Sequence, residues 1–428
     1  MTASSGSSAP SSGPLLAAVQ GLWSGAALAD PHPIYEQIRG FANADGLVRL
    51  PEWNTAFAVG HAATSAVLRS PAARSGEWDH GPSDGGKLLQ HMMLFRNGIP
   101  HARLRGLVQK AFTPRVVEEQ RDLVRSLLDE LLSDLLTESA RAGGPVDRVP
   151  VDPVPVDLVA GLSGPLPGRV IMRMLGLRGA DEERFLGWSA SVAELLGGAD
   201  RSPALLARIE ADAREMRGYF RDLADELRVS PQPGLLSALA AVEDGGPNGE
   251  TQRLSGDELL SNAVLLLAAG HETTSNLIPG GVLALSQQPD AWAALLNHPR
   301  HPGVADELLR HVSPVQLDGR MLTEAQTVGE TPLPAGTPVQ LLLAAANRDP
   351  QVFPDPERLD WDRPNASRHL AFAAGPHYCL GASLARLEIA ETFAALAERF
   401  PDLRVSAAPR YKANFVLRGP QELWVTLD

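Results

Sequence analysis

Cysteine occurs once in the 428 residues, at Cys379. One thiol excludes an intramolecular disulfide, an iron–sulfur cluster and a multi-cysteine zinc site within the chain, so electrons for redox chemistry have to come from elsewhere. Aromatic residues are scarce at 5%, against 44% hydrophobic residues overall. The core must therefore be built from Leu, Ala and Val, with enough chain to enclose a sizeable ligand. No cluster of Lys and Arg is present and the formal net charge is -13, which argues against nucleic acid as a partner, because phosphate affinity depends on grouped cations. Long apolar runs are also missing. The longest, such as Ala263 to Gly270, are far too short to span a bilayer. The opening MTASSGSSAPSSGP has neither the positive start nor the apolar stretch of a secretory signal. A cytoplasmic protein without membrane contact is expected.

What is present favours helix, since Leu, Ala, Glu and Arg are abundant. No Gly/Ser linker splits the chain after its first dozen residues, so a single domain over 26–428 is expected behind a poorly ordered lead-in over 1–25. Residues 29 to 60 read as a short helix followed by strand-like alternation. The stretch from Arg74 to Gly98 reads as a long loop with one short helix. In IPHARLRGLVQKAFTPR, His101 and Arg105 lie four apart and share a helix face; the pattern fits either a solvated basic face or a pair aimed at one acceptor. Val124 to Leu135 repeat at helical spacing. The Pro-interrupted VDRVPVDPVPVD from Val146 predicts a connector, and helices are expected again from Val156 to Leu177, Phe185 to Leu196 and Ala204 to Leu227. Strands are expected at Val339 to Leu343 and Leu423 to Leu427.

Leu259 to Leu285 is apolar on nearly all faces, which predicts a central helix. Its interior holds Ala269, Gly270, Glu272, Thr273 and Thr274. A helical step of about 100 degrees turns Glu272 away from Thr273 and puts Ala269 and Gly270 on the face of Thr273, around a shallow notch. Glu272 is expected on a different, wetter side. A structural threonine whose hydroxyl bonds back to the carbonyl four residues earlier is the alternative. Pro279 removes a hydrogen bond to the Ser275 carbonyl and is expected to bend the helix. In VADELLRHV, Glu307 can pair with Arg310 three residues on, with Asp306 as a competing partner. His298 and His301, set among prolines, lack further ligands for a metal.

Around the lone cysteine, Gly375 and Pro376 precede it, Gly381 follows, and a helical pattern starts just after. This spacing predicts a tight loop opening a helix. Amides at a helix start stabilise negative charge and lower a thiol's pKa, and glycines let a flat ligand approach the main chain. A thiolate here is an axial ligand, a nucleophile or, in the plainest reading, an ordinary buried side chain.

Phe372, Gly375, His377, Cys379 and Gly381 resemble the heme-binding loop of cytochromes P-450, F-x-x-G-x-H-x-C-x-G. The resemblance implies a mainly α fold with a smaller β-region, the heme lying between the central Thr-bearing helix and the cysteine-loop helix. It implies heme b as cofactor, Cys379 as metal ligand, and His101, Arg105, Arg320 and His377 as partners for the heme propionates. Ala269, Gly270, Thr273, Phe372, Gly375 and Gly381 would border the cofactor. The run Ala269 to Thr274 is similar to the family's A-G-x-[DE]-T-T, whose acid and alcohol, here Glu272 and Thr273, assist proton delivery. Glu307 and Arg310 resemble the family's structural ion pair, completed by a third arginine for which Arg358 is the best match and Arg363 the rival.

The family usually has glycine where this chain has Ala373, and often Asp-Pro-Pro where it has Asn97 to Pro100, so the backbone is expected to differ at both places. By resemblance the protein is a monooxygenase inserting one atom of O2 into an apolar or amphipathic small molecule in natural-product biosynthesis. It would work as a monomer served by ferredoxin and ferredoxin reductase, with Arg103, Lys110 and Arg115 facing the acidic donor. The alternatives are a non-catalytic heme-binding or recruitment protein, and an oxidative-coupling or peroxide-driven member of the family.

Overall fold

The computed structural model describes residues 13–76, 80–110, 112–142, 154–177, 181–198, 202–241, 244–245 and 251–427. Its longest helix, Gly256–Ser286, is the element on which the others are arranged. The sequence starts it firmly: the Ser255 hydroxyl accepts from the Glu258 amide at 3.2 Å, and the Glu258 carboxylate accepts from the Ser255 amide at 2.9 Å. This reciprocal capping satisfies two amides that a helix start otherwise leaves unpaired. Asp257 and Glu258 in the first turn add favourable charge.

Helices Asp84–His91, Pro165–Leu175, Glu182–Gly197, Pro203–Val229, Val304–Val312 and Ala382–Arg399 all pack against it. Surrounded in this way, it is buried along most of its length, as its all-round apolar pattern requires. It is interrupted by one window, where Ala269 is exposed and Gly270 and Thr273 are half-buried. The helix continues through Pro279 without a break in its assignment.

A five-stranded sheet forms the smaller β-region, in the order Leu47–Leu50, Thr55–Ala58, Pro338–Leu342, Leu317–Leu322, Ala73–Arg74. All its pairs are antiparallel except Thr55–Ala58 with Pro338–Leu342. The register sets Arg320 opposite the fully buried Val339. That pairing brings a cation from residue 320 to the edge of the helical body.

Residues 1–12 of the expected lead-in lie outside the described residues. From Gly13 the expectation is corrected. Gly13–Gly21 is a helix, and Leu15, Val19 and Leu22 are buried with Tyr35, Ile38, Phe57 and Phe415. Each such side chain contributes about 1.5–3 kcal/mol when fully buried, which is enough to hold a short helix that would be marginal alone. The connector from Val146 lies outside the described residues as far as residue 153. The break between Glu182–Gly197 and Pro203–Val229 falls where expected, with 199–201 outside the described residues.

The ion pair on Val304–Val312 forms, but its third member is Arg363. Glu307 and Arg310 are fully buried, and Arg310 donates to both Glu307 oxygens at 2.8 Å. Arg363 joins them through Nε at 3.0 and 3.2 Å. Arg358 instead points outward to Asp355 and Asp360. Only Arg363 turns inward, because the carbonyls of Pro354, Asp355 and Arg358 accept its remaining donors. Asp306 does not compete for Arg310. Its partners are Arg386 at 2.7 Å and His369 at 3.2 Å.

Candidate functional site

Cys379 lies between a single 3-10 turn, Gly375–His377, and the helix Ala382–Arg399. Its amide donates to the Phe372 carbonyl at 3.0 Å, closing the loop. Gly375 is obligatory here: its φ is +69°, and a Cβ would stand 2.4 Å from the Leu68 carbonyl oxygen. Phe372 is buried beneath the loop, with the Arg386 guanidinium 4.7 Å above its ring. Gly381 leaves room beside the sulfur, since a Cβ there would meet Sγ only at 4.0 Å.

Ala373 adopts φ +56°, in the left-handed region that glycine enters readily and other residues seldom do. An L-residue in this region costs about 1–2 kcal/mol. Ala373→Gly should therefore raise stability by about 0.5–1 kcal/mol after the added freedom of the unfolded chain is subtracted. The check is a melting temperature higher by about 0.5–1 °C; an unchanged or lower value would mean the strain is relieved elsewhere.

The thiol is reachable by solvent, yet protein atoms surround it on most sides, so it lies on the floor of a cleft. Burial pushes its pKa up, while the Gly381 amide, Arg105 and Arg386 pull it down without prevailing. The lowered pKa expected from the helix start is thus reversed by desolvation. A metal ion would deprotonate such a thiol outright, because the coordinated form is the thiolate.

One side of the cleft is cationic. His101 and Arg105 project from the helix Gly98–Gln109, and the rings of His101 and His377 stack with centroids 4.1 Å apart. Burial lowers the His377 pKa to about 3, helped by the charges of His101, Arg320 and Arg105. Its ring is therefore neutral near pH 7. The His101 pKa is also lowered, by burial and by Arg105. Arg320 is buried and donates to Asp318 at 2.5 Å and to the Gly319 carbonyl at 2.8 Å. Arg105 is half-buried within electrostatic range of Cys379. Two arginines and two neutral imidazoles facing one cleft fit a ligand carrying carboxylates.

Asn97, at the start of the approach segment, ties this wall to Ser75. Its side-chain oxygen accepts from the Ser75 amide at 3.0 Å and lies 3.4 Å from His377 Nε2, and its amide donates to the Ser75 carbonyl at 2.9 Å.

The remaining expected residues lie at the window in Gly256–Ser286. The Thr273 hydroxyl donates to the Ala269 carbonyl at 2.8 Å, which is the bond of the purely structural reading; its lone pairs remain available on the half-exposed side. Gly270 departs from expectation, because its Cβ position points at Ile171, 3.2 Å away. Its smallness serves the approach of Pro165–Leu175, and Ala269 is the exposed residue of this window.

Glu272 was expected on a wetter side and is instead buried at 5% exposure, with Lys412 Nζ 2.8 Å from Oε2. Burial raises its pKa, but Lys412 and His271 lower it further, and the net position is below the usual carboxylate range. Lys412 was not singled out from the sequence. Its rarity was a usable signal, since it is one of only three lysines in the chain.

An accessible thiol with two arginines and two imidazoles near it is a combination that suits a cofactor carrying carboxylates. Among the described residues no three His, Cys, Asp or Glu side chains are grouped to hold a metal ion by themselves, and none of their helices is long and apolar enough to cross a membrane.

Comparison with known proteins agrees with this geometry. The family model described as Cytochrome P450 matches residues 302–413. The chain is 37% identical over 404 residues to the cytochrome P450 monooxygenase PikC of Streptomyces venezuelae, covering 92% of this chain and 90% of that one. It is 37% identical to nocardicin C N-oxygenase of Nocardia uniformis subsp. tsuyamanensis, over 78% of this chain and 79% of the other. The ligand-free crystal structure of Mycobacterium smegmatis CYP164A2 superposes with a TM-score of 0.81 at 38% identity, covering 96% of this chain and all of that one.

Proposed function

Because the chain belongs to the cytochrome P450 family and is a heme-bearing monooxygenase of that family, we propose that Cys379 would bind the iron of a heme b. We further propose that the cleft above it oxidises an apolar or amphipathic small molecule with O2. The observation that carries this reading is the Cys379 sulfur on the cleft floor beside Arg105, for which no ion pair or hydrogen bond is found among the described residues. Bound heme supplies the oxygen activation, and a thiolate ligand increases the electron density available for breaking the O–O bond.

The chain's own groups have separable tasks. Arg105 and Arg320 bind the propionates as cations. His101 and the neutral His377 add ring N–H donors at the same edge. Phe372 and Gly381 position the cysteine loop without crowding the sulfur. Ala269 leaves the wall flat. The Thr273 hydroxyl, by rotating away from the Ala269 carbonyl, presents a proton to the open side. Glu272 Oε2 accepts from Lys412 Nζ, and Lys412, partly exposed, links that buried carboxylate to the exterior.

Electrons come from separate redox partners. Ferredoxin and its reductase are the proposed pair, serving a cytoplasmic monomer that acts as a single domain, which includes the packed helix Gly13–Gly21. Arg103 pairs with Glu258 and Arg115 with Glu119, so the surface facing the donor is less cationic than the sequence count implies. A natural-product substrate is proposed, in keeping with the relative named nocardicin C N-oxygenase.

Thr273→Ala tests the assignment. Electron consumption should continue while product per electron falls by roughly 10-fold or more, the scale of a lost proton-transfer group. Unchanged coupling would assign Thr273 to helix structure alone.

A further inference from the structure

The stretch from Tyr411 to Gly419 is held from two sides. On its inner side Lys412 Nζ lies 2.8 Å from Glu272 Oε2, the Asn414 side-chain amide donates to the Ala193 carbonyl at 3.0 Å, and Asn276 of the central helix donates to the Leu417 carbonyl at 3.1 Å. The Lys412 backbone amide donates to the Gly419 carbonyl at 3.1 Å, which closes the stretch into a loop. Lys412 therefore goes where the loop goes.

The outer side meets the N-terminal segment. Phe415 is 2% exposed, and the rings of Trp23 and Tyr35 stand 6.2 and 6.4 Å from its own. Arg418 donates to the Leu28 carbonyl at 2.8 Å and to the Ala29 carbonyl at 2.5 Å, with its guanidinium 4.5 Å from the centre of the Tyr411 ring. Those carbonyls end the helix Gly25–Ala29, where they lack partners along the helix and carry partial negative charge. Tyr35, on the helix His32–Arg39, donates its hydroxyl to Gln316 at 2.6 Å, and the Gln316 backbone amide donates to the Val416 carbonyl at 2.9 Å.

We infer that the segment from Gly13 to Arg39 positions Lys412: by pressing the loop 411–419 against the central helix it keeps the ammonium on Glu272. Trp23, Tyr35 and Arg418 are the positioning residues, and they act on Glu272 through Lys412. A loop clamped on one side only would have to give up backbone freedom each time the pair formed; the outer clamp removes that cost in advance. The consequence for turnover rests on the proton handling proposed for Glu272 and Lys412, whereas the placement itself does not.

Lysine is scarce enough to be followed residue by residue, since Lys87, Lys110 and Lys412 are the three in the chain. Limited acetylation of the full-length, heme-loaded protein with acetic anhydride, resolved by peptide mass spectrometry, should modify Lys412 more slowly than the exposed Lys87 and Lys110. In Trp23→Ala the Lys412 rate should rise by about 2- to 10-fold, the range set by one aromatic pair, with Lys87 and Lys110 unchanged. Trp23→Phe keeps a ring on Phe415 and should return most of the parent's rate. Tyr35→Phe should also raise the rate, through one lost hydrogen bond. A Lys412 rate unmoved in both Trp23→Ala and Tyr35→Phe would overturn the inference, as would an equal rise at all three lysines, which marks general loosening. Product per electron should fall as the Lys412 rate rises. If labelling responds while product per electron stays constant, the placement stands and the proton role of Glu272 and Lys412 fails.

Discussion

Cys379→Ser should fold, retain heme at its propionate edge and lose product formation by on the order of 1,000-fold or more, the scale reached when one group essential to the transition state is removed. The serine is close to isosteric, and the sulfur it replaces borders open space. Melting should therefore change by only about 0.5 kcal/mol in the heme-free protein. The spectral test is sharper than the rate. Parent protein, reduced and treated with carbon monoxide, should show the red-shifted Soret band of thiolate-ligated heme, and the variant should not. A red-shifted band persisting in the variant would remove Cys379 from the ligand position. Its absence in well-folded, heme-loaded parent would do the same.

The largest effect on stability should come from the cluster behind the cysteine loop. In Glu307→Ala the guanidinium groups of Arg310 and Arg363 remain buried without a carboxylate. Stranding a buried charge costs about 3–5 kcal/mol, a large share of a typical domain's stability. The same cations donate to the carbonyls of Asn347, Pro354, Asp355, Pro356 and Arg358, so the loss extends along the segment that leads to Cys379. Poor heme incorporation and a strongly lowered melting temperature are expected for Glu307→Ala, and a similar though smaller loss for Arg363→Ala. Arg358→Ala should stay within about 0.5 kcal/mol of the parent, because that side chain is exposed. Equal losses at Arg358 and Arg363 would contradict the geometry.

That pair of arginines also shows where sequence reading stops. They are five residues apart in one turn-rich stretch, and nothing in residue type separates them. The choice was made by which one finds accepting carbonyls, a property of the folded turn. The cysteine loop, by contrast, was legible because its requirements are contiguous: a positive φ at Gly375, a donor–acceptor closure from Cys379 to Phe372, and a helix start at Ala382.

The central helix was legible for the same reason, through its apolar faces, although its first turn and the cap formed by Ser255 and Glu258 were not read. Contacts between distant segments were not. Lys412 meets Glu272 across 140 residues, and Ile171 fills the space left by Gly270. Neither shows in any local pattern. The helix from Gly13 was missed because a few small apolar residues follow a Ser/Gly/Pro run, and their burial depends on partners as far away as Phe415.

The solitary thiol on the cleft floor has a practical consequence. With no second cysteine to compete, a thiol-directed reagent would count chains: sulfur engaged by the cofactor stays silent, and each equivalent of label marks a molecule in which that bond is missing. Labelling stoichiometry then becomes a gauge of cofactor loading that needs neither substrate nor redox partner, and it ranks variants of the distant walls by how well they keep the floor closed.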